Sequence, residues 1–198
     1  NLTKDRSALI RTRKVRFVEN IVEKLKAGTK INNTLALTQL ASESGMRPGE
    51  HYQDIKELYD IAGLALNKWI LSKPYFSPTG KTSTDAKAVV QVLDSMQDLL
   101  PTETQRSGDQ VDLQQYSTPP SLAFLANWVA GVHSGDTPPP PPPPPGNIAA
   151  FAKLAGANVI AKEIDPKRSE LLRMLGVRTL QEDAKFLHAT PSLSGDKV

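Results

Sequence analysis

Eight consecutive prolines, Pro138 to Pro145, constrain the fold of this chain more than any other stretch of it. Proline has no backbone N–H and holds φ near about −65°, so the run cannot serve as a central strand of a parallel sheet. Its own preference is polyproline II, about 3.1 Å per residue and therefore about 25 Å end to end. Whatever core the chain builds must come from the sequence on either side.

That sequence is long enough to build one. With 198 residues, 39% hydrophobic and 23% charged, the chain can form one domain or two small ones. No run approaches the roughly 18 apolar residues of a membrane span, and the N-terminal residues carry no secretory-signal pattern. The absence of cysteine excludes disulfides and thiolate metal sites and is compatible with a reducing cytoplasm. A net charge of +3 and a pI near 9.1 permit a nucleic-acid partner without demanding one.

Before the prolines the pattern is helical. Val15, Val18, Ile21, Val22 and Leu25 recur at helical spacing over residues 1–28, with Gly28 as the stop signal. Through Lys26 this segment holds eight cations against three carboxylates, a net of +5. Arg11, Arg13, Lys14 and Arg16 are its candidate phosphate contacts, since closely set cations displace counterions from DNA. A solvated helix face is the competing reading, and the favoured one. Asn33 is placed to cap a helix from Thr34 to about Ser44, stopped by Gly45. A longer helix is expected from about Gly49 to Ser72, with Tyr52, Ile55, Leu58, Tyr59, Ala62, Leu66, Trp69 and Ile70 toward a core.

Gly80-Lys81-Thr82 invites a nucleotide-binding reading. A phosphate loop needs a glycine five residues before the Gly-Lys pair, and position 75 is Tyr, so the motif fails. Ser83 or Thr84 then caps a fourth helix carried by Ala88, Val89, Val92, Leu93, Met96 and Leu100 and closed by Pro101. Residues 102–111 are polar and mark the division: a helical region over 1–105 and a second region over 106–198.

In the second region a helix is expected from about Ser121 to Ala130, with Leu122, Leu125, Ala126 and Val129 as its buried stripe. Ile148, Phe151, Ala152 and Leu154 make a short helix ending near Gly156, and Asn158 to Ala161 form a buried strand. Glu163 ends that strand, 17 residues after Gly146. This is close to the spacing at which a Rossmann-like fold sets an acid on ribose hydroxyls. Pro166 starts a further helix with Leu171, Leu172 and Leu175 buried and Gly176 as its stop, followed by a strand over Val177 to Leu180. His51, His133 and His188 are too scattered for a metal cluster or a Ser-His-Asp triad.

Taken in order, Tyr116-Ser117-Thr118-Pro119-Pro120, Gly146, Glu163-Ile164-Asp165-Pro166 and Glu182-Asp183-Ala184 resemble the first half of a class I S-adenosylmethionine-dependent methyltransferase acting on adenine N6 in DNA. The likeness covers about 112–190 and is nearest to phage antirestriction proteins that join an adenine methylase to a strawberry-notch-type helicase. It implies an α/β fold, a Rossmann-like methyltransferase half-domain preceded by an all-α helical region. It further implies S-adenosyl-L-methionine as cofactor, DNA as partner, protection of DNA from restriction, and a bacterial cytoplasmic or virion-associated location without membrane or metal. Tyr116, Thr118 and Pro119 correspond to the segment over the methionine end, Gly146 to the last glycine of the cofactor loop, Glu163 to the ribose acid and Asp183 to the adenine contact. Thr118-Pro119-Pro120-Ser121 is discounted as a catalytic motif, having neither amide or carboxylate nor aromatic ring.

The prolines depart from that family. Its first strand and turn read roughly apolar-Leu-Glu/Asp-Pro-x-Ala/Cys-Gly-x-Gly, and here eight prolines fill every place before the last glycine, Gly146. They offer neither amides nor an acidic side chain, so cofactor binding through this segment is expected to be lost. The run is an authentic insertion that docks into aromatic-lined grooves, a deliberate disruption, or a stretch whose letters differ from the molecule's residues; the continuous flanks favour the last two. The family's Asn/Asp-Pro-Pro-Phe/Tyr motif does not follow Asp183, so the chain is either part of a larger enzyme or lacks the chemistry. Two alternatives stay open: a non-catalytic structural or interaction protein whose proline tract recruits a partner, and a nicotinamide-dependent enzyme sharing the strand-end acid.

Overall fold

The computed structural model describes residues 2–49, 52–102, 118–137 and 146–182, with side chains described from residue 8 and, in the third helix, from residue 54. Among these lie seven α-helices and two short strands. Helix α1 spans Leu2–Lys26, α2 Thr34–Glu43, α3 Tyr52–Leu71 and α4 Ser83–Gln97. After these come α5 Pro120–Val129, α6 Asn147–Leu154, β1 Ile160–Lys162, α7 Pro166–Met174 and β2 Arg178–Leu180. The protein is thus mostly helical. In place of the expected α/β half-domain, the described residues contain a single two-stranded parallel sheet, β1–α7–β2, with Ile160 paired to Arg178 and Lys162 to Leu180. No helix among the described residues is long and apolar enough to cross a membrane.

Local chemistry accounts for the helix ends. Asn33 Oδ1 accepts from the Ala36 amide at 2.9 Å, as its position before Thr34 predicts. The cap of α4 is Thr82 rather than Ser83 or Thr84: its hydroxyl accepts from the Asp85 amide, and the Asp85 carboxylate accepts from the Thr82 amide. Gly80-Lys81-Thr82 is therefore a turn into a capped helix. Gly28, Gly45, Gly156 and Gly176 all have positive φ at helix ends, where a side chain would be strained.

Helix α3 is the axis of the molecule. It packs against α1, α2, α6 and α7, and none of its residues from 54 to 70 is exposed. Leu58, Ala62, Leu66 and Ile70 are buried as expected; so are Ile61, Leu64 and Ala65, because a helix surrounded by partners has no solvent face. One hydrophobic cluster runs from Phe17 and Ile21 of α1 to Phe151 of α6 and Leu171 of α7. It thus contains residues from both sides of the division expected near 105.

Two buried faces differ from expectation. On α4 the stripe is Ala86, Val89, Leu93 and Met96, leaving Ala88 and Val92 outside. On α5 the buried residues are Pro120, Ser121, Ala123, Phe124 and Asn127, whereas Leu122 is 55% and Val129 77% exposed. The ten residues of α5 contain no charge, so apolar periodicity alone does not set which side faces in. Contact with α4 and α6 decides it, with Phe124 edge-on to Phe151 at 5.7 Å and Trp128 Nε1 donating to the Lys81 carbonyl at 3.0 Å.

Candidate functional site

Glu163 follows β1 directly, and its amide extends the ladder by donating to the Leu180 carbonyl at 3.0 Å. The residue is only 3% exposed. Oε1 accepts from the Asp165 amide at 2.8 Å, while Oε2 is buried with no hydrogen-bond partner among the described residues. Burial raises its pKa above the ordinary carboxylate value, against the lowering effect of the Asp165 amide and the Arg168 charge. A carboxylate kept at the carboxyl end of a parallel strand with one oxygen unmet is equipped to accept from a ligand hydroxyl.

The next residues explain how that carboxylate is held. Asp165 caps α7, its Oδ1 accepting from the amides of Lys167 at 2.8 Å and Arg168 at 3.3 Å. Pro166 occupies the first turn, where its missing N–H costs nothing. The sequence motif therefore divides its labour: Glu163 is buried at the end of β1, and Asp165 caps the helix whose first turn lies beside it.

Gly146 opens α6 with φ +83, a conformation that side chains rarely adopt. An added Cβ would also lie 2.9 Å from Cδ2 of Leu172 on α7 and 3.2 Å from Cδ2 of Leu175, which caps that helix. The following residue, Asn147, is 7% exposed, and its Nδ2 donates to the Thr118 carbonyl. Its Oδ1 has no partner among the described residues. Thr118 and Pro119, which lead into α5, are in this way joined to the start of α6. Glu163 connects to the same group through α7. Tyr116, Asp183 and the run Pro138–Pro145 lie outside the described residues.

The flanks of the proline run are nonetheless placed. The Asn158 amide donates to the Asp136 carbonyl at 2.7 Å, so the chain before the run lies beside the approach to β1. At the far end of α6, Lys153 Nζ reaches the carbonyls of Leu175 at 3.3 Å and Gly176 at 2.8 Å, just ahead of β2. Near these amino ends of the strands is a cleft of about 600 Å³ bordered by Thr137, Lys153, Asn158 and Arg178. It lies at the opposite end of the strands from Glu163 and shares none of that site's residues.

The basic helix separates into two kinds of residue. Arg11 and Arg16 are exposed, and Arg13 is half-buried beside Gly45. Lys14 is 7% exposed and does not present its charge to a phosphate. Its ammonium lies 2.9 Å from Glu57 Oε1 and 2.7 Å from Glu170 Oε2, because a buried charge must find partners. This inward turn was not visible in the charge pattern, nor was the burial of Arg168 and Ser169 on α7. Asn127 had a weak signal as the one amide in an otherwise apolar stretch; it bonds the Ala123 and Ile148 carbonyls. No group of acidic and histidine side chains able to hold a metal occurs among the described residues. Comparison with protein-family models, with curated proteins and with solved structures finds no match to this chain.

Proposed function

We propose that this chain carries the ribose-binding part of a Rossmann-like site for S-adenosylmethionine, belonging to a methyltransferase that modifies adenine N6 in DNA and protects it from restriction. The observation that carries the reading is Glu163, buried after β1 in a parallel crossover with Oε2 available as an acceptor. Gly146 at the start of α6 and its tie to Thr118 through Asn147 support it. So does the chain order: Asp136 beside the approach to β1 and Gly146 opening α6 flank a stretch of the length of the family's first strand and turn.

In this reading Glu163 accepts hydrogen bonds from the ribose hydroxyls, Gly146 lets backbone approach the ligand, and Thr118-Pro119 closes over the methionine end. Bound S-adenosylmethionine would supply an electrophilic methyl group on its sulfonium. The acceptor adenine, flipped from the duplex, is met in the family by an Asn/Asp-Pro-Pro-Phe/Tyr motif, which does not occur after Asp183. Arg11, Arg13 and Arg16 are the cations left to approach the DNA backbone.

A second reading, a non-catalytic interaction protein, draws on the exposed apolar side of α5 at Leu122 and Val129. Titration calorimetry with S-adenosylmethionine and with NAD, on the chain and on a version carrying an apolar-Leu-Glu-Pro-x-Ala-Gly-x segment at 138–145, separates them. The restored version is expected to bind S-adenosylmethionine and not NAD, and Glu163→Ala to weaken that binding at least about tenfold. Failure of the restored version to bind overturns the methyltransferase reading and leaves the interaction protein.

A further inference from the structure

Three helices meet at one charged group. Lys14 of α1 contacts Glu57 of α3 and Glu170 of α7, and Lys167 of α7 reaches the second oxygen of Glu57 at 3.0 Å. Two cations and two carboxylates thus balance. Lys167 and Glu170 stand three apart on α7, so they share one side of its first turns. Hydrogen bonds and charge from Glu170 and Glu57 raise the Lys14 pKa despite the opposing pull of burial, the largest single influence. Lys14 and Lys167 lower that of Glu57 against the same influence. Both shifts favour the charged forms, Lys14 as ammonium and Glu57 as carboxylate.

The amino end of α7 is consequently held twice. Asp165 caps it from within, and the quartet fastens it to α1 and α3. The Asp165 amide is itself the donor to Glu163 Oε1. A continuous path of polar contacts and one helical turn runs from Lys14 to the carboxylate at the end of β1.

We propose that Lys14 and Glu57 are positioning residues that set the orientation of the Glu163 carboxylate through the first turn of α7. The basic N-terminal helix then acts on the site from behind, with no part in holding phosphate at Lys14. The claim that this orientation matters for a ligand rests on the reading of Glu163 as the ribose acceptor; the mechanical claim does not.

Two readouts separate those claims. In the full chain, ¹³C NMR follows the titration of the Glu163 carboxyl and hydrogen exchange follows the Asp165 amide. Lys14→Met is expected to lower the Glu163 midpoint toward the ordinary carboxylate value as water enters, and to speed Asp165 exchange about tenfold. Lys14→Arg keeps the charge and is expected to retain the parent's values. Lys167→Met, at a half-exposed position, leaves the Lys14 pairs intact and provides a folded variant with a smaller change in the same direction. Unchanged Glu163 titration and Asp165 exchange in folded Lys14→Met and Lys167→Met overturn the proposal.

In the version with the restored 138–145 segment, Lys14→Met is expected to weaken S-adenosylmethionine binding about tenfold, the scale on which supporting residues act. If that version binds nothing, the ribose reading fails while the NMR and exchange arms still decide the positioning claim.

Discussion

Up to Leu100 the interior is made almost entirely of apolar side chains, with Lys14, Ser44 and Asn67 as the buried polar residues among those described. From Thr118 onward, in a much shorter described stretch, Ser121, Asn127, Asn147, Lys162, Glu163, Arg168 and Ser169 are all buried. Burying polar groups costs free energy unless each finds a partner. The helical region follows the cheaper route to a core. The second region keeps polar groups inside and concentrates them around the starts of α6 and α7 and the end of β1, where a recognition site would use them.

The comparison predicts that the two interiors nevertheless unfold together, because one hydrophobic cluster spans both. Phe124→Ala in α5 is expected to cost about 4 kcal/mol and Ile61→Ala in α3 about 3 kcal/mol. Trp69 on α3 and Trp128 on α5 give a fluorescence probe in each region. Denaturant curves at Trp69→Phe and Trp128→Phe backgrounds should coincide in every case. Two separated transitions would break the comparison into two independent bodies.

Next in size is the quartet that joins the regions. Lys14→Met leaves Glu170 without its bonded lysine and is expected to cost about 3 kcal/mol. The effect should depend on pH in a definite sense. Glu57 has a lowered folded pKa, so its contribution is present above its ordinary value of 4.5 and is lost as pH falls through the lowered one. Lys14 has a raised folded pKa, so its contribution is full below its ordinary value of 10.5 and is lost as pH rises through the raised one. The stability gap between parent and variant, from urea curves, should therefore be widest between those two values and close at both ends.

The smallest expected effect tests the corrected side of α5. Leu122→Ser should change stability by no more than about 0.5 kcal/mol, as at other exposed sites away from caps and charges. A loss of about 2 kcal/mol would mean that Leu122 is covered in solution.

Much of the fold was legible because its determinants are local. Asn33, Gly28, Gly45, Gly156 and Gly176 mark helix ends through a side-chain oxygen or backbone freedom that no distant contact is needed to specify, whereas the Asp165 cap emerged only with the structure. A strand just before Glu163 was legible too, although it spans Ile160–Lys162 rather than Asn158 to Ala161 and leaves Asn158 exposed. What was not legible depends on partners remote in sequence. Which side of the uncharged α5 turns inward is chosen by α4 and α6, the lack of an exposed face on α3 by its several neighbours, and the inward turn of Lys14 by carboxylates 43 and 156 residues away. Polar burial at Ser169 and Arg168 is invisible to hydropathy, which scores both as surface residues.

The enclosed position of α3 also bears on how the chain reaches its structure during synthesis. Two of the helices that cover it, α6 and α7, are made roughly a hundred residues later. At a translation rate of about 5–20 residues per second, α3 leaves the ribosome many seconds before those partners exist. For that interval Leu64, Ala65 and their neighbours lack their final cover, so nascent chains stalled before α7 should bind holdase chaperones and release them once residue 175 has emerged.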